Sequence, residues 1–281
     1  MLVIGGHDDQ VWDSGGMAEA IVKARAAAGR AGLSGAQPGA AALTPARAAR
    51  AVTIGAMEHP IEWLPAEGEP AQLILLLHGW RSDATALLPL AQALRSQFPQ
   101  AAIVAPDAPT RWGEHPTQRL WYGIDGLTPQ NWPERVAECL PPLLQWVRAQ
   151  QRRLGVGAAA TALGGFSQGG ILALALAMAR DGLVGRVLSF GGCLTEKPAA
   201  APQLTTLHLF HGAADEVIAP DGSRQALAWM AELEGDATLD LAQGIGHELH
   251  PVLIERALWR LTHHVPQRTW REALGGAPTH R

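Results

Sequence analysis

Residues 161–179 read TALGGFSQGGILALALAMA, and this stretch decides how the rest of the chain is read. A short apolar run, Thr161 to Phe166, enters Gly165-Phe166-Ser167-Gln168-Gly169 and leaves as an unbroken apolar segment of helical length. That is G-x-S-x-G at a strand-turn-helix junction, where a serine on a sharp turn is pushed out of the sheet. Side chains two residues before or after such a serine would collide with the neighbouring strand or helix, which accounts for the glycines. The following helix aims its positive end at the hydroxyl. The plainer alternative is a glycine-rich connection whose serine caps a helix.

Working outward, short apolar runs alternate with helical patterns from about Glu58 onward, the form of stacked β-α units. Strands are expected at 58–64, 71–77, 101–105, 161–166, 186–190, 204–210 and 237–242. Leu87, Leu90, Leu94 and Phe98 recur at helical spacing, as do Val136, Leu140, Leu144 and Val147. Pro141 and Pro142 fall inside the second helix and predict a kink there. Runs such as LILLL imply strands buried on both faces, hence a mostly parallel sheet of about seven strands with helices on both sides. The stretch 106–130, rich in Pro, Gly and Trp, breaks the pattern and is a candidate lid or pocket loop.

Composition narrows the function classes. The chain has 281 residues, is 47% hydrophobic and carries a net charge of −4, enough for one large α/β core. No basic stripe is present to neutralise a phosphate backbone, so nucleic acid is not an expected partner. Cys139 and Cys193 sit in unrelated contexts, form no zinc pattern and read as free thiols. The apolar stretches QLILLLH and ILALALAMA fall well short of the roughly 20 residues of a membrane span, so no stable membrane insertion is expected. No basic segment precedes the apolar MLVIGG and acidic residues follow at once, unlike a secretory signal, which leaves a cytoplasmic location as the simplest expectation. Residues 20–57 contain Lys23, Arg25, Arg30, Arg47 and Arg50 but no acid, and otherwise mainly Ala and Gly. Residues 1–57 are therefore expected to be a low-complexity, disordered extension and 58–281 the folded domain.

A serine hydroxyl is a weak nucleophile at neutral pH and needs a histidine base oriented by a carboxylate. With the nucleophile on such a strand-turn-helix junction, the expected chain order is Ser, acid, His. After Ser167, strand TTLHLF runs into His211-Gly212-Ala213-Ala214-Asp215-Glu216-Val217-Ile218, placing Asp215 just past a strand end. Strand TLDLA then leads to Gly244-Ile245-Gly246-His247. Active-site residues of parallel sheets gather at that edge. Asp215 could also be an ordinary turn aspartate, and Asp221 is a second candidate, placed where it would cap the helix beginning near Gly222. His250 could replace His247, but would lie inside a helix expected from about Glu248. His208 reads as a structural strand histidine, and His263 and His264 as a solvated helix end. The joint order favours Ser167, Asp215 and His247. The oxyanion of a tetrahedral intermediate needs two donors, and the backbone N–H groups of Gln168 and Trp80 are the candidates.

Together L-L-H-G, G-F-S-Q-G, H-G-x-x-D-x-V-I and G-x-G-H resemble the small phospholipase/carboxylesterase family, which includes acyl-protein thioesterases and small bacterial carboxylesterases. The resemblance runs from about Glu58 to Gly275, and the tail HHVPQRTWREALGG is similar to the bacterial carboxylesterase branch. It implies an α/β-hydrolase fold, a triad of Ser167, Asp215 and His247, and oxyanion donors on Trp80 and Gln168. The implied activity is hydrolysis of short to medium acyl esters. An acyl thioesterase or lysophospholipase would use the same residues, and a non-catalytic binding protein on this fold is the rival from another class. The expected partner is a small ester or thioester; no cofactor or metal is expected, and a homodimer is allowed. Many members carry H-G-x-G-D, whereas here Arg81 replaces the second glycine and Ser82 precedes Asp83. Arg119-Leu120-Trp121-Tyr122 resembles the family's Arg-x-Trp-Phe segment beside the acyl pocket, so Trp121 and Tyr122 are candidate substrate-binding residues, with burial in the core as the alternative.

Overall fold

The computed structural model describes residues 61–269. The expected extension and its boundary at residue 57 lie outside them, as does the end of the tail.

The strands of the main sheet are β1 (Ile61–Trp63), β2 (Gln72–Leu77), β3 (Ala101–Ala105), β6 (Thr161–Phe166), β7 (Arg186–Phe190), β8 (Thr206–Gly212) and β9 (Ala237–Ala242). They lie in the order β1-β3-β2-β6-β7-β8-β9, with β1 antiparallel to β3 and every other pairing parallel. Six of them lie within the stretches expected for strands, and β8 overlaps its own but is shifted two residues later than the expected 204–210. The helices are α1 (Leu88–Gln97), α2 (Trp132–Leu154), α3 (Gln168–Ala179), α4 (Asp221–Glu232) and α5 (Pro251–His263).

Strand β2 shows why both faces are covered. Its alternate residues Leu73, Leu75 and Leu77 join one core cluster with Trp146 of α2, Leu172 of α3 and Met230 of α4. Ile74 and Leu76 point the other way, among Leu90 and Leu94 of α1 and Leu253 and Ile254 of α5. A strand that alternates between two apolar layers must be apolar throughout, which is the LILLL pattern. Helix α3 follows the same logic. It has no polar face, and nine of its residues, from Gln168 to Ala177, are buried between the sheet and α2.

Helix α2 runs from Trp132 to Leu154 as one element with Pro141 and Pro142 inside it, so the helix expected here forms through both prolines. Each proline removes a donor to the carbonyl four residues earlier, and those carbonyls belong to Ala137 and Glu138, both exposed. The irregular stretch 106–130 folds back as a two-stranded hairpin, β4 (Thr110–Arg111) and β5 (Arg119–Leu120), beside the carboxyl edge of the sheet. Ser82, in the loop after β2, bridges to Arg119 and ties the hairpin to that edge.

Candidate active site

Three strand ends deliver the candidate residues. Ser167 follows β6 with φ 55° and ψ −117°, a left-handed conformation that a non-glycine residue adopts only when its surroundings enforce it. The enforcement is close packing. A Cβ at Gly165 would lie 2.4 Å from the carbonyl carbon of Gly169, and one at Gly169 would lie 2.0 Å from the carbonyl oxygen of Leu77. The backbone N–H of Ser167 donates to Phe190 of β7 at 2.8 Å. Although Ser167 stands at the N-cap of α3, its side chain makes no capping bond, against the simple helix-cap reading. Its Oγ instead lies 2.9 Å from Nε2 of His247.

His247 and Asp215 are brought together by paired loops. Ala213 N–H donates to Ala242 at 2.8 Å and Ala214 N–H to Ile245 at 2.9 Å, so the loop after β8 is laced to the loop after β9. Nδ1 of His247 then meets Oδ2 of Asp215 at 2.6 Å. Gly191, with φ 57°, leaves room for the imidazole: a Cβ there would sit 3.3 Å from the ring. Phe166 also packs against the imidazole, its ring centroid 4.8 Å away.

Asp215 is fully enclosed, with 0% of its side chain exposed. Its Oδ1 accepts the N–H groups of Val217 and Ile218, each at 2.9 Å, and Oδ2 also lies 3.0 Å from Nε2 of His211. Burial pushes this carboxyl up, but the hydrogen bonds from His211 and His247, the charge of His247 and the Ile218 N–H outweigh it and hold it well below the usual carboxylate range. It is therefore an anion aimed at the histidine.

The alternatives separate cleanly. His250 is not inside a helix as expected; it is the N-cap of α5, where its Nδ1 accepts the Val252 N–H at 3.2 Å. Asp221 is the first residue of α4 rather than its cap, and pairs with Arg224 at 2.7 Å. His208 is buried in β8 and bonds Thr238 at 2.8 Å, as a structural histidine should. His263 is exposed, but His264 is not a solvated end: it pairs with Asp236 at 3.1 Å and packs edge-on against His208.

The loop after β2 closes over the serine. A Cβ at Gly79 would stand 3.3 Å from that of Ser167, which puts the Gly79-Trp80 peptide beside the nucleophile. Gln168 begins α3, so its N–H belongs to the set that a helix leaves without an internal acceptor. His78 fixes the loop: its Nδ1 donates to Gly79 C=O at 2.7 Å and its Nε2 accepts the Ala108 N–H at 2.9 Å, a pattern that defines one neutral tautomer. Burial lowers its pKa in keeping with that form. Arg81 keeps the left-handed backbone, φ 52°, that a glycine would adopt freely at this point, and its guanidinium lies 5.2 Å from the Trp80 ring and 5.3 Å from Trp112.

Trp121 and Tyr122 are both buried in the core and touch this frame. The Trp121 indole donates to His78 C=O at 2.9 Å, and the Gln168 side chain grips the same segment, accepting from Trp121 N–H at 3.2 Å and donating to Tyr122 C=O at 3.0 Å. Tyr122 Oη accepts from Trp132 at 3.1 Å. Sequence reasoning did not single out His78, His211 or the Gln168 side chain. His211 stood in the H-G-x-x-D run four residues before Asp215, and that spacing was the available signal.

The arrangement can pass a proton from Ser167 to His247 while Asp215 holds the imidazole. Cys139 and Cys193 are thiols rather than a disulfide, and among the described residues no helix is long and apolar enough to cross a membrane.

Residues 62–264 match the phospholipase/carboxylesterase family. The chain is 35% identical over 221 residues to esterase YpfH of Escherichia coli (strain K12), covering 78% of this chain and 95% of that one. Among solved structures it is similar to esterase PE8, with a TM-score of 0.67 and 28% identity over 74% of this chain and 99% of the other. A Bacillus cereus carboxylesterase shares the fold, with a TM-score of 0.60 at 16% identity over 73% and 94% of the two chains.

Proposed function

This chain belongs to the phospholipase/carboxylesterase family, and on that premise we propose that it is a serine-dependent carboxylesterase cleaving short to medium acyl esters through an acyl-enzyme on Ser167. The observation that carries the reading is the continuous hydrogen-bonded path from Ser167 Oγ through the His247 ring to Asp215 Oδ2, with contacts of 2.9 and 2.6 Å.

In the first half-reaction Ser167 Oγ attacks the ester carbonyl while His247 Nε2 takes its proton. The carbonyl oxygen becomes an oxyanion, met by the N–H groups of Trp80 and Gln168. Collapse expels the alcohol, which receives the proton from His247. Water then attacks the acyl-enzyme with His247 again as base, and the acid leaves. Asp215 stays ionised throughout and stabilises the transient imidazolium.

The acyl-length preference rests on the aromatic residues around this edge. Trp80 and Trp112 meet edge-on at 5.5 Å, and Trp121 and Tyr122 fill the space behind the oxyanion loop. Each added methylene contributes about 0.8 kcal/mol only while the pocket has room for it. Butyrate and hexanoate nitrophenyl esters are expected to outperform palmitate, and a steady rise of kcat/KM up to palmitate contradicts the size limit. The reaction class is tested by fluorophosphonate labelling followed by matched ester and thioester panels. Labelling at Ser167 with preferential ester turnover supports the proposal. Preferential thioester turnover makes the chain a thioesterase, and no labelling makes it a non-catalytic member of the fold.

A further inference from the structure

Asp215 faces two imidazoles, and the mechanism above uses one. His211, next to last in β8, is 0% exposed. Its Nε2 lies 2.8 Å from Ile218 C=O and 3.0 Å from Asp215 Oδ2. A carbonyl and an ionised carboxylate only accept, so Nε2 carries a hydrogen. At the other side of the ring Nδ1 meets Ser223 Oγ at 2.7 Å, and that hydroxyl reaches Gly192 C=O at 2.9 Å. The imidazole is thus held at both nitrogens, and its Nε2–H is shared between Ile218 and the carboxylate.

We propose that His211 is a positioning residue for ester cleavage: its Nε2–H fixes Oδ2 of Asp215 for His247 and withdraws part of the charge that would otherwise act on His247 alone. The inference rests on the reading of Ser167, His247 and Asp215 as the reacting set. Two donors divide one oxygen, so removing His211 leaves a more concentrated negative charge against His247 and favours its imidazolium form. An imidazolium cannot accept the serine proton, so the acid limb of kcat/KM moves to higher pH. The ionisable groups around this path are Ser167 at the β6–α3 turn, His211 and Asp215 at the end of β8, and His247 after β9. Glu216 is exposed, and Cys193 lies near Gly222, beside Ser223.

The test compares His211→Gln with His211→Asn. Both carry the same amide, but the longer glutamine reaches the place of Nε2, whereas asparagine stops near Nδ1 and leaves Oδ2 with one imidazole. His211→Gln is expected to keep the wild-type acid limb. His211→Asn should lower kcat about tenfold with KM little changed, and raise the midpoint of the acid limb by roughly half a pH unit or more. Equal behaviour of the two variants, or a wild-type acid limb in His211→Asn, overturns the proposal. Should either variant fail to fold, nitrogen NMR of histidine-labelled wild-type protein decides: Nε2 of His211 must carry a proton at neutral pH, and a bare Nε2 overturns the inference. Wild-type turnover and Ser167 labelling, measured alongside, report separately on the esterase reading. If both are absent, that reading falls and this one with it.

Discussion

Trp121 donates its indole N–H to the carbonyl oxygen of His78 at 2.9 Å, across 43 residues of chain. That bond joins the irregular 106–130 stretch to the loop that carries Trp80. Trp121→Phe keeps most of the ring packing but removes the donor, leaving a buried carbonyl with one partner fewer. An unsatisfied buried group costs about 1–3 kcal/mol, so the melting temperature should fall by a few degrees. On the proposed oxyanion role of the Trp80 N–H, that donor is then less firmly aimed, and kcat on nitrophenyl butyrate should drop about tenfold, less than the roughly 10²–10³ of deleting an oxyanion donor. An unchanged kcat would leave Trp121 with a packing role alone.

The two candidate bases are separable by mutation. His247→Ala should abolish turnover, since losing the general base of a serine triad costs about 10⁶ in kcat. His250→Ala removes only the side-chain cap of the Val252 N–H, so activity should survive with a stability loss of about 0.5–2 kcal/mol. Steady-state kinetics on both folded variants checks this, and the opposite pattern would move the base to His250.

The middle of the sheet was legible because buried parallel strands such as β2 and β3 are continuous apolar runs, whereas the edge strands β1 (Ile61-Glu62-Trp63) and β9 (ATLDLA) carry polar residues among the apolar ones. The order of the candidate residues was legible for a related reason, since Ser167, Asp215 and His247 all lie in the turn or loop that leaves a strand's carboxyl end. The start of α5 was misplaced to Glu248, although Pro251 is its first residue and a proline at that position is a start signal. The roles of His78 and His211 were hidden because they depend on tertiary neighbours. His78 finds its acceptor role at Ala108, 30 residues away, through a loop with no periodicity. The His211–Asp215 contact is local in sequence, but its meaning depends on His247, which arrives from the next strand.

Stability should fall on mild acidification. Burial lowers the pKa of His78 below its ordinary 6.5, and burial, then His264, Arg186 and Arg260, lower that of His208 well below it. Between the folded and unfolded values the unfolded chain binds more protons, so these groups favour folding fully above about pH 6.5 and progressively less below it. Asp215, whose pKa is lowered too, adds a loss only below its ordinary value of 3.8. The melting temperature of wild type should therefore drop between about pH 7.5 and 5.5, and His208→Asn, which retains a partner for Thr238, should show a smaller drop. Parallel curves for the two proteins would remove His208 from the account.

The central claim is that Ser167 is the nucleophile, and Ser167→Ala tests it most directly. The hydroxyl makes no helix-capping bond, so its removal should leave the fold intact. The measurement is nitrophenyl butyrate turnover by wild type and by the folded variant, with fluorophosphonate labelling of both. The account predicts labelling of wild type alone and a loss of about 10⁶ in kcat in the variant, limited in practice by the detection floor. Near wild-type turnover in a folded Ser167→Ala protein would contradict it.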